Sequence, residues 1–174
     1  MRKKQYIEFL FLITLGMATS LSLPPLNYFI INFLTFSSFF IFLIKKINHN
    51  QNTKFSFIYG WLFGFGYFIT NLYWISISLT FDPNFKFLIP ITVILIPAFL
   101  AIFYGLISYF FLIFKMKKIV SSFLFFSLIF GFSEFVRGSI LTGFPWNLIA
   151  YSFSNQLEIL SIISLTGTYG FNLL

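Results

Sequence analysis

The sequence predicts an all-α fold, a polytopic integral membrane helix bundle with about six transmembrane helices. Hydrophobic residues make up 59% of the 174 positions and charged residues only 9%, whereas soluble domains carry about 25% charged residues. So few charges cannot cover a water-facing surface, and intrinsic disorder requires low hydrophobicity. The net charge of +7 comes from short basic clusters between apolar runs, a pattern typical of membrane orientation rather than nucleic-acid binding.

The first two helices are predicted over residues 6–23 and 26–44. Residues 9–44 contain no charged side chain and form a run too long for one ordinary span, because about 20 apolar residues cross a bilayer. The pair Pro24-Pro25, followed by Asn27, is a turn signal that divides the run in two.

Further apolar runs predict the remaining helices, over residues 56–80, 88–114, 119–137 and 157–174. Gly60 and Gly64 have the spacing that lets two membrane helices approach closely. Pro90 suits the first turn of its helix, whereas Pro97 is expected to kink it. Glu158 lies where the last helix begins, and a carboxylate is favourable at a helix N-terminus.

The basic residues predict the orientation of these helices. With six spans, one side receives most of the basic residues, namely Arg2, Lys3, Lys4, Lys45, Lys46, Lys54, Lys115, Lys117 and Lys118. The other side receives Lys86 and Arg137. Because Lys and Arg concentrate in cytoplasmic loops, the sequence predicts a multi-pass protein with a cytoplasmic N-terminus.

Three residues near the end of the fifth predicted helix are candidates for function. Glu134 and Arg137 are three positions apart, so they share a helix face and can pair. Ionisable residues inside a membrane are functional candidates. Either the pair closes the outer end of the helix, with Arg137 snorkelling to the headgroups, or it contacts an anionic phospholipid headgroup. Trp146 follows Pro145, which predicts an interfacial or re-entrant loop, or one that shapes a lipid-entry site.

The sequence predicts no catalytic residue, metal site or cofactor. It contains no cysteine, and its single histidine, His49, lies in a polar loop. Thiol nucleophiles, thiolate metal sites and intramembrane histidine catalysis are therefore excluded on this chain. Paired carboxylates close in sequence, a nucleophile elbow and a phosphate-binding loop are likewise missing.

Two motifs in this part of the sequence resemble the signature of the bacterial apolipoprotein N-acyltransferase family. One is Ser-Glu-Phe-Val-Arg-Gly over residues 133–138, and the other is Leu-Thr-Gly-Phe-Pro-Trp over 141–146. Three further segments are similar to the family in order and spacing: residues 23–27, residues 60–66 with Tyr73 and Trp74, and residues 167–170. The two motifs are specific, and the resemblance covers essentially the whole chain.

The resemblance implies a multi-pass enzyme of the bacterial inner membrane. The family takes an acyl chain from a phospholipid onto a cysteine as a thioester and passes it to the N-terminal amine of a diacylglyceryl-cysteine lipoprotein. The implied partners are a phospholipid acyl donor, a diacylated apolipoprotein acceptor and the membrane. The catalytic glutamate, lysine and cysteine belong to an extracytoplasmic nitrilase-like domain.

This sequence departs from that pattern, because it stops in the sixth predicted helix and has no nitrilase-like domain. We therefore expect an N-terminal membrane domain, as a truncated form or fragment that is inactive by itself. Glu134, Arg137 and Trp146 match the family motifs and are expected to have structural or lipid-contact roles. The alternative is a non-catalytic membrane partner or assembly protein of a separately encoded nitrilase-like chain. A small transporter is disfavoured by the scarcity of buried charges.

Overall fold

The computed structural model describes residues 2–48, 55–140, 143 and 145–171. Within these ranges the chain is all-α and has no strand, which confirms the predicted helix bundle. The helices are α1 (Arg2–Thr19), α2 (Ile30–Asn48), α3 (Ser56–Asn71), α4 (Ile75–Ser78), α5 (Ile89–Phe114), α6 (Ile119–Ser139) and α7 (Leu157–Phe171). Short 3₁₀ segments cover Ser20–Ser22, Pro83–Leu88 and Ile149–Phe153.

Some positions used in the predictions lie outside the described residues. They are His49, Lys54, Leu141, Thr142, Phe144 and residues 172–174, the last three of the span predicted to end at 174. For Arg2 only the backbone is described.

Four segments of the described chain are long and apolar enough to cross a membrane. They are Lys3–Ser22, Ile30–Asn48, Pro83–Phe114 and Ile119–Ser139. In the most apolar 18 residues of each segment, only 22–28% of the residues are buried inside the protein. Most residues of these windows are therefore at least partly exposed on the outside of the bundle. The sequence predicts about six spans, and the other two correspond to α3, with 16 residues, and α7, with 15.

The span predicted over 56–80 is interrupted after Asn71, and the chain resumes only as the four-residue α4. The Asn71 side-chain Nδ2 donates to the carbonyl of Tyr67 at 2.8 Å, and the Thr70 hydroxyl donates to the carbonyls of Gly66 and Tyr67. Such side chains offer the backbone carbonyls an alternative to continued helix. In α7 the backbone leaves helical geometry at Gly167, where φ is 71°.

Helix α3 is the central element of the bundle and packs against both α1 and α5. On the α5 side, a Cβ at Gly60 would overlap the carbonyl oxygen of Tyr104, and one at Gly64 would lie 2.7 Å from the Tyr104 Cβ. On the α1 side, a Cβ at Gly66 would overlap the carbonyl oxygen of Ile13. The close approach predicted from the glycine spacing is therefore present, and α3 makes it on two faces.

Aromatic rings fill the space between α2, α3, α5 and α6. Phe39 of α2 stacks on Phe63 of α3 with ring centroids 4.4 Å apart. Tyr104 of α5 is 1% exposed and packs edge-on against Phe68 and Phe130. Such offset and edge-to-face pairs contribute about 0.5–1.5 kcal/mol each beyond the burial of their area.

The bundle has two chemically different ends. At one end, which we call the lysine end, the α1 start, the α2 end and the α5–α6 turn carry Lys3, Lys4, Lys45, Lys46, Lys115, Lys117 and Lys118. There the Lys46 ammonium lies 2.7 Å from the Glu8 carboxylate and 5.0 Å from the ring centroids of Phe42 and Tyr59. The opposite end, which we call the site end, contains the end of α6 and the chain that follows it.

Candidate functional site

Glu134 and Arg137 form a buried ion pair at the site end of α6. The Arg137 Nη2 lies 2.9 Å from the Glu134 Oε1, and the two side chains are 0% and 1% exposed. Their spacing places them on one face of the helix, so the pairing predicted from the sequence is present. Helix α6 turns this face toward α3 and α5 rather than outward.

The Glu134 carboxylate has partners from two other parts of the chain. The Tyr104 hydroxyl of α5 donates to it at 3.4 Å. The backbone N–H of Ile149, beyond the end of α6, donates to it as well. A buried carboxylate is stabilised only when such donors replace the water it has lost. Glu134 thereby joins α5, α6 and the 3₁₀ segment Ile149–Phe153.

Arg137 makes the complementary connections. Its Nη1 donates to the backbone carbonyl of Trp146 at 2.8 Å, and its guanidinium lies 5.3 Å from the ring centroid of Phe68 in α3. The side chain therefore points into the bundle, which corrects the interpretation that Arg137 snorkels to the headgroups. It points inward because a carboxylate, a carbonyl and an aromatic face lie within its reach there.

The segment after α6 crosses the site end and is held from several sides. The Tyr67 hydroxyl of α3 donates to the carbonyl of Asn147 at 2.8 Å. The Asn32 amide of α2 donates to the Ser152 hydroxyl at 2.8 Å. The backbone takes positive φ at Gly143, 73°, and at Asn147, 58°, a conformation typical of turns. We call residues 145–153 the clamped segment.

Trp146 is the exposed part of the clamped segment. Its residue is 55% exposed, and its ring lies 5.3 Å from that of Trp74, which is 41% exposed. Indoles in such positions favour the boundary between hydrocarbon and headgroups. In the same segment, partial burial raises the pKa of Tyr151, because desolvation disfavours the charged phenolate.

The structure brings Glu134 and Arg137 together, and the backbone carbonyl of Trp146 binds Arg137. The Trp146 ring lies beside Trp74 instead. Sequence reasoning missed Tyr67, Tyr104 and Asn32, which complete the arrangement. Their signal is weak: each is a single polar group in an apolar helix. Within the described ranges no three His, Cys, Asp or Glu residues are grouped to hold a metal ion. The hydrogen bonds of Glu134 and Arg137 connect α5, α6 and the clamped segment, so their geometry fits a structural role.

Residues 15–174 match the family model described as the apolipoprotein N-acyltransferase N-terminal domain. The chain belongs to the apolipoprotein N-acyltransferase family. The matched range includes the whole candidate site, so Glu134, Arg137 and Trp146 lie within the family's N-terminal domain.

Apolipoprotein N-acyltransferases of three bacteria illustrate the similarity. The chain is 35% identical to that of Rickettsia prowazekii over 157 residues, 34% identical to that of Rhodopseudomonas palustris over 163, and 34% identical to that of Allorhizobium ampelinum over 145. These alignments cover 90%, 91% and 78% of this chain. They cover only 30%, 30% and 27% of the relatives, so the chain spans less than a third of the length of these apolipoprotein N-acyltransferases.

Proposed function

We propose that this chain is the membrane domain of an apolipoprotein N-acyltransferase in a bacterial inner membrane. The enzyme transfers a phospholipid acyl chain to the N-terminal amine of diacylglyceryl-cysteine lipoproteins. The match of residues 15–174 to the N-terminal domain of that family carries the proposal. Because the sequence has no cysteine, we assign the thioester-forming step to a part of the enzyme outside these 174 residues.

In this proposal Glu134 and Arg137 are positioning residues. Their side chains are at most 1% exposed and are engaged with each other, with Tyr104 and with the Trp146 carbonyl. A lipid phosphate could reach the guanidinium only by displacing these partners. The pair therefore fixes the clamped segment, and the clamped segment fixes the position of the Trp146 ring.

Trp146 is the residue proposed to contact the phospholipid donor. Its ring is exposed beside Trp74 at the site end, where an amphipathic indole can lie against acyl chains while its N–H faces the headgroups. The buried ion pair binds the backbone of Trp146 and so keeps the Trp146 ring in one position relative to the bundle. A phospholipid that contacts the ring would then be held in a defined position as well. A misplacement of about 1 Å can reduce a reaction rate about 10²-fold.

A chimera tests the proposal. This chain replaces the part that it matches in the Rickettsia prowazekii relative, and the purified protein receives a phospholipid donor and a synthetic diacylated lipopeptide. We expect N-acylated lipopeptide, measured by mass spectrometry. Trp146→Ala is expected to raise the KM for the phospholipid without lowering the unfolding midpoint, whereas Arg137→Gln changes both.

The matched control is Phe132→Leu, at a residue on α6 that is 65% exposed and outside the site; it is expected to leave both values unchanged. A chimera that folds but makes no product contradicts the assignment. A second arm expresses this chain alone and isolates it by an affinity tag. A stably bound, cysteine-bearing nitrilase-like chain would favour the alternative of a non-catalytic membrane partner.

A further inference from the structure

The segment between α4 and α5 exposes three phenylalanine rings at the site end. Phe81 is 84% exposed, Phe87 71% and Phe85 49%. They lie within residues 79–88, which we call the phenylalanine loop, and the second half of the loop is the 3₁₀ segment Pro83–Leu88. Three exposed phenylalanines within seven positions concentrate apolar area in one short stretch of chain, and exposed apolar area of this kind can mark a contact surface.

The phenylalanine loop has a defined backbone. The Asp82 carboxylate accepts a hydrogen bond from the Asn84 backbone N–H at 2.9 Å and so caps the 3₁₀ segment. The segment runs directly into α5, and residues 83–114 together form one apolar stretch of 32 residues. The three rings therefore belong to an ordered turn, and this turn leads directly into a candidate membrane span.

The loop leads directly into α5, whose first turns also expose apolar side chains. Beyond the loop, Ile91, Ile94 and Leu95 are 46%, 53% and 60% exposed. In a membrane these exposed side chains are expected to face acyl chains, because Pro83–Phe114, which contains α5, is the most apolar of the four candidate spans. Because the 3₁₀ segment runs directly into α5, the phenylalanine loop lies next to the end of this lipid-facing helix.

The charges of the loop fit the boundary of a bilayer. The Asp82 carboxylate is engaged with the backbone of its own turn, while Lys86 is an exposed cation in the last turn of the 3₁₀ segment. A lysine beside phenylalanines that lie in the hydrocarbon can extend its ammonium to the lipid phosphates. Moving a phenylalanine from water into hydrocarbon is favourable, so each ring favours insertion.

We propose that the phenylalanine loop inserts Phe81, Phe85 and Phe87 into the bilayer leaflet at the site end, with Lys86 at the level of the phosphates. The partner of this surface is the phospholipid bilayer itself. The proposal rests on the loop and on α5, and is independent of acyl transfer.

The absence of cysteine from the sequence allows a direct test. Single variants Phe81→Cys, Phe85→Cys and Phe87→Cys carry a nitroxide label on the full chain in phospholipid nanodiscs. We expect the labels to collide with dissolved oxygen more than with a water-soluble nickel chelate. Asn84→Cys, at an exposed polar position of the same loop, is the matched control and is expected to show the reverse.

A second measurement uses an environment-sensitive fluorophore at the same positions. Emission at 81, 85 and 87 is expected to shift to shorter wavelength and to be quenched by lipids brominated near the headgroup end of the acyl chain. Labels that are reached by the nickel chelate place the loop in water and overturn the proposal. Labels shielded from both oxygen and chelate mean that protein, such as a second copy, covers the loop, which overturns it equally. Since all four positions are exposed, the labels leave the core intact.

Discussion

At the scale of the residue, burial decides what each polar side chain can do. Arg137 and Glu134 are fully enclosed, yet each contacts groups from other elements, so the pair is a junction of α3, α5, α6 and the clamped segment. The spacing of the two residues predicts their pairing. It cannot predict Tyr104 or the Trp146 carbonyl, because these partners approach only when the bundle has formed.

The junction makes a strong stability prediction. Arg137→Met leaves the Glu134 carboxylate buried without its cation, and removing one member of a buried pair costs about 3–5 kcal/mol. The double variant Glu134→Leu with Arg137→Met removes both charges and is expected to be more stable than either single variant. The free energy of unfolding is measured by SDS titration followed by tryptophan fluorescence. Equal losses in the single and double variants would show that the charges do not act as a pair.

A hydroxyl in α5 supports the start of α3. The Ser108 Oγ accepts from the Gly60 N–H at 2.9 Å and donates to the Ser56 carbonyl at 2.5 Å. Ser108→Ala is expected to lower the free energy of unfolding by about 1 kcal/mol, the scale of interhelical hydrogen bonds inside membranes. Ser139→Ala, an exposed hydroxyl that bonds only within α6, is the control and should be neutral in the same titration. A neutral Ser108→Ala would mean that the two backbone groups satisfy each other.

At the scale of the element, apolar runs predict helices well because a membrane requires internal satisfaction of every backbone group. The long helices α5 and α6 begin within one residue of their predicted starts, 88 and 119, and Pro90 lies in the first turn of α5 as the sequence predicts. The interruption after Asn71 could not be predicted from the apolar run, because hydropathy carries no information about local side-chain hydrogen bonds. The clamped segment could not be predicted from hydropathy either, since its shape depends on contacts with three helices.

The α3–α5 contact gives a prediction about helix packing. Gly60→Ala places a methyl group on the carbonyl oxygen of Tyr104, a backbone atom that no rotamer change can move. Overpacking of this kind costs about 1–3 kcal/mol. Gly170→Ala is the matched control, because its new methyl group would meet the Thr166 Cβ at 3.4 Å. Thermal unfolding in nanodiscs is expected to show a lower midpoint for Gly60→Ala alone, and equal midpoints would contradict the close packing.

At the scale of the whole molecule, the two ends of the bundle differ in what they present to their surroundings. The lysine end carries exposed cations in three places, whereas the site end carries Trp74, Trp146 and the phenylalanine loop. Such an asymmetry is the pattern that sets orientation during insertion, because basic loops remain in the cytoplasm. We therefore predict that the proposed lipid-contacting surface lies in the outer leaflet.

This asymmetry predicts the orientation of the chain in the membrane. Because the chain has no cysteine, single cysteine variants can measure that orientation. Lys117→Cys lies in the exposed turn between α5 and α6 at the lysine end, and Asn84→Cys lies in the phenylalanine loop at the site end. In cells whose outer membrane has been permeabilised, a membrane-impermeant maleimide is expected to label Asn84→Cys, and to label Lys117→Cys only after lysis. The reverse pattern would place the site end and Trp146 on the cytoplasmic side and would contradict the predicted orientation.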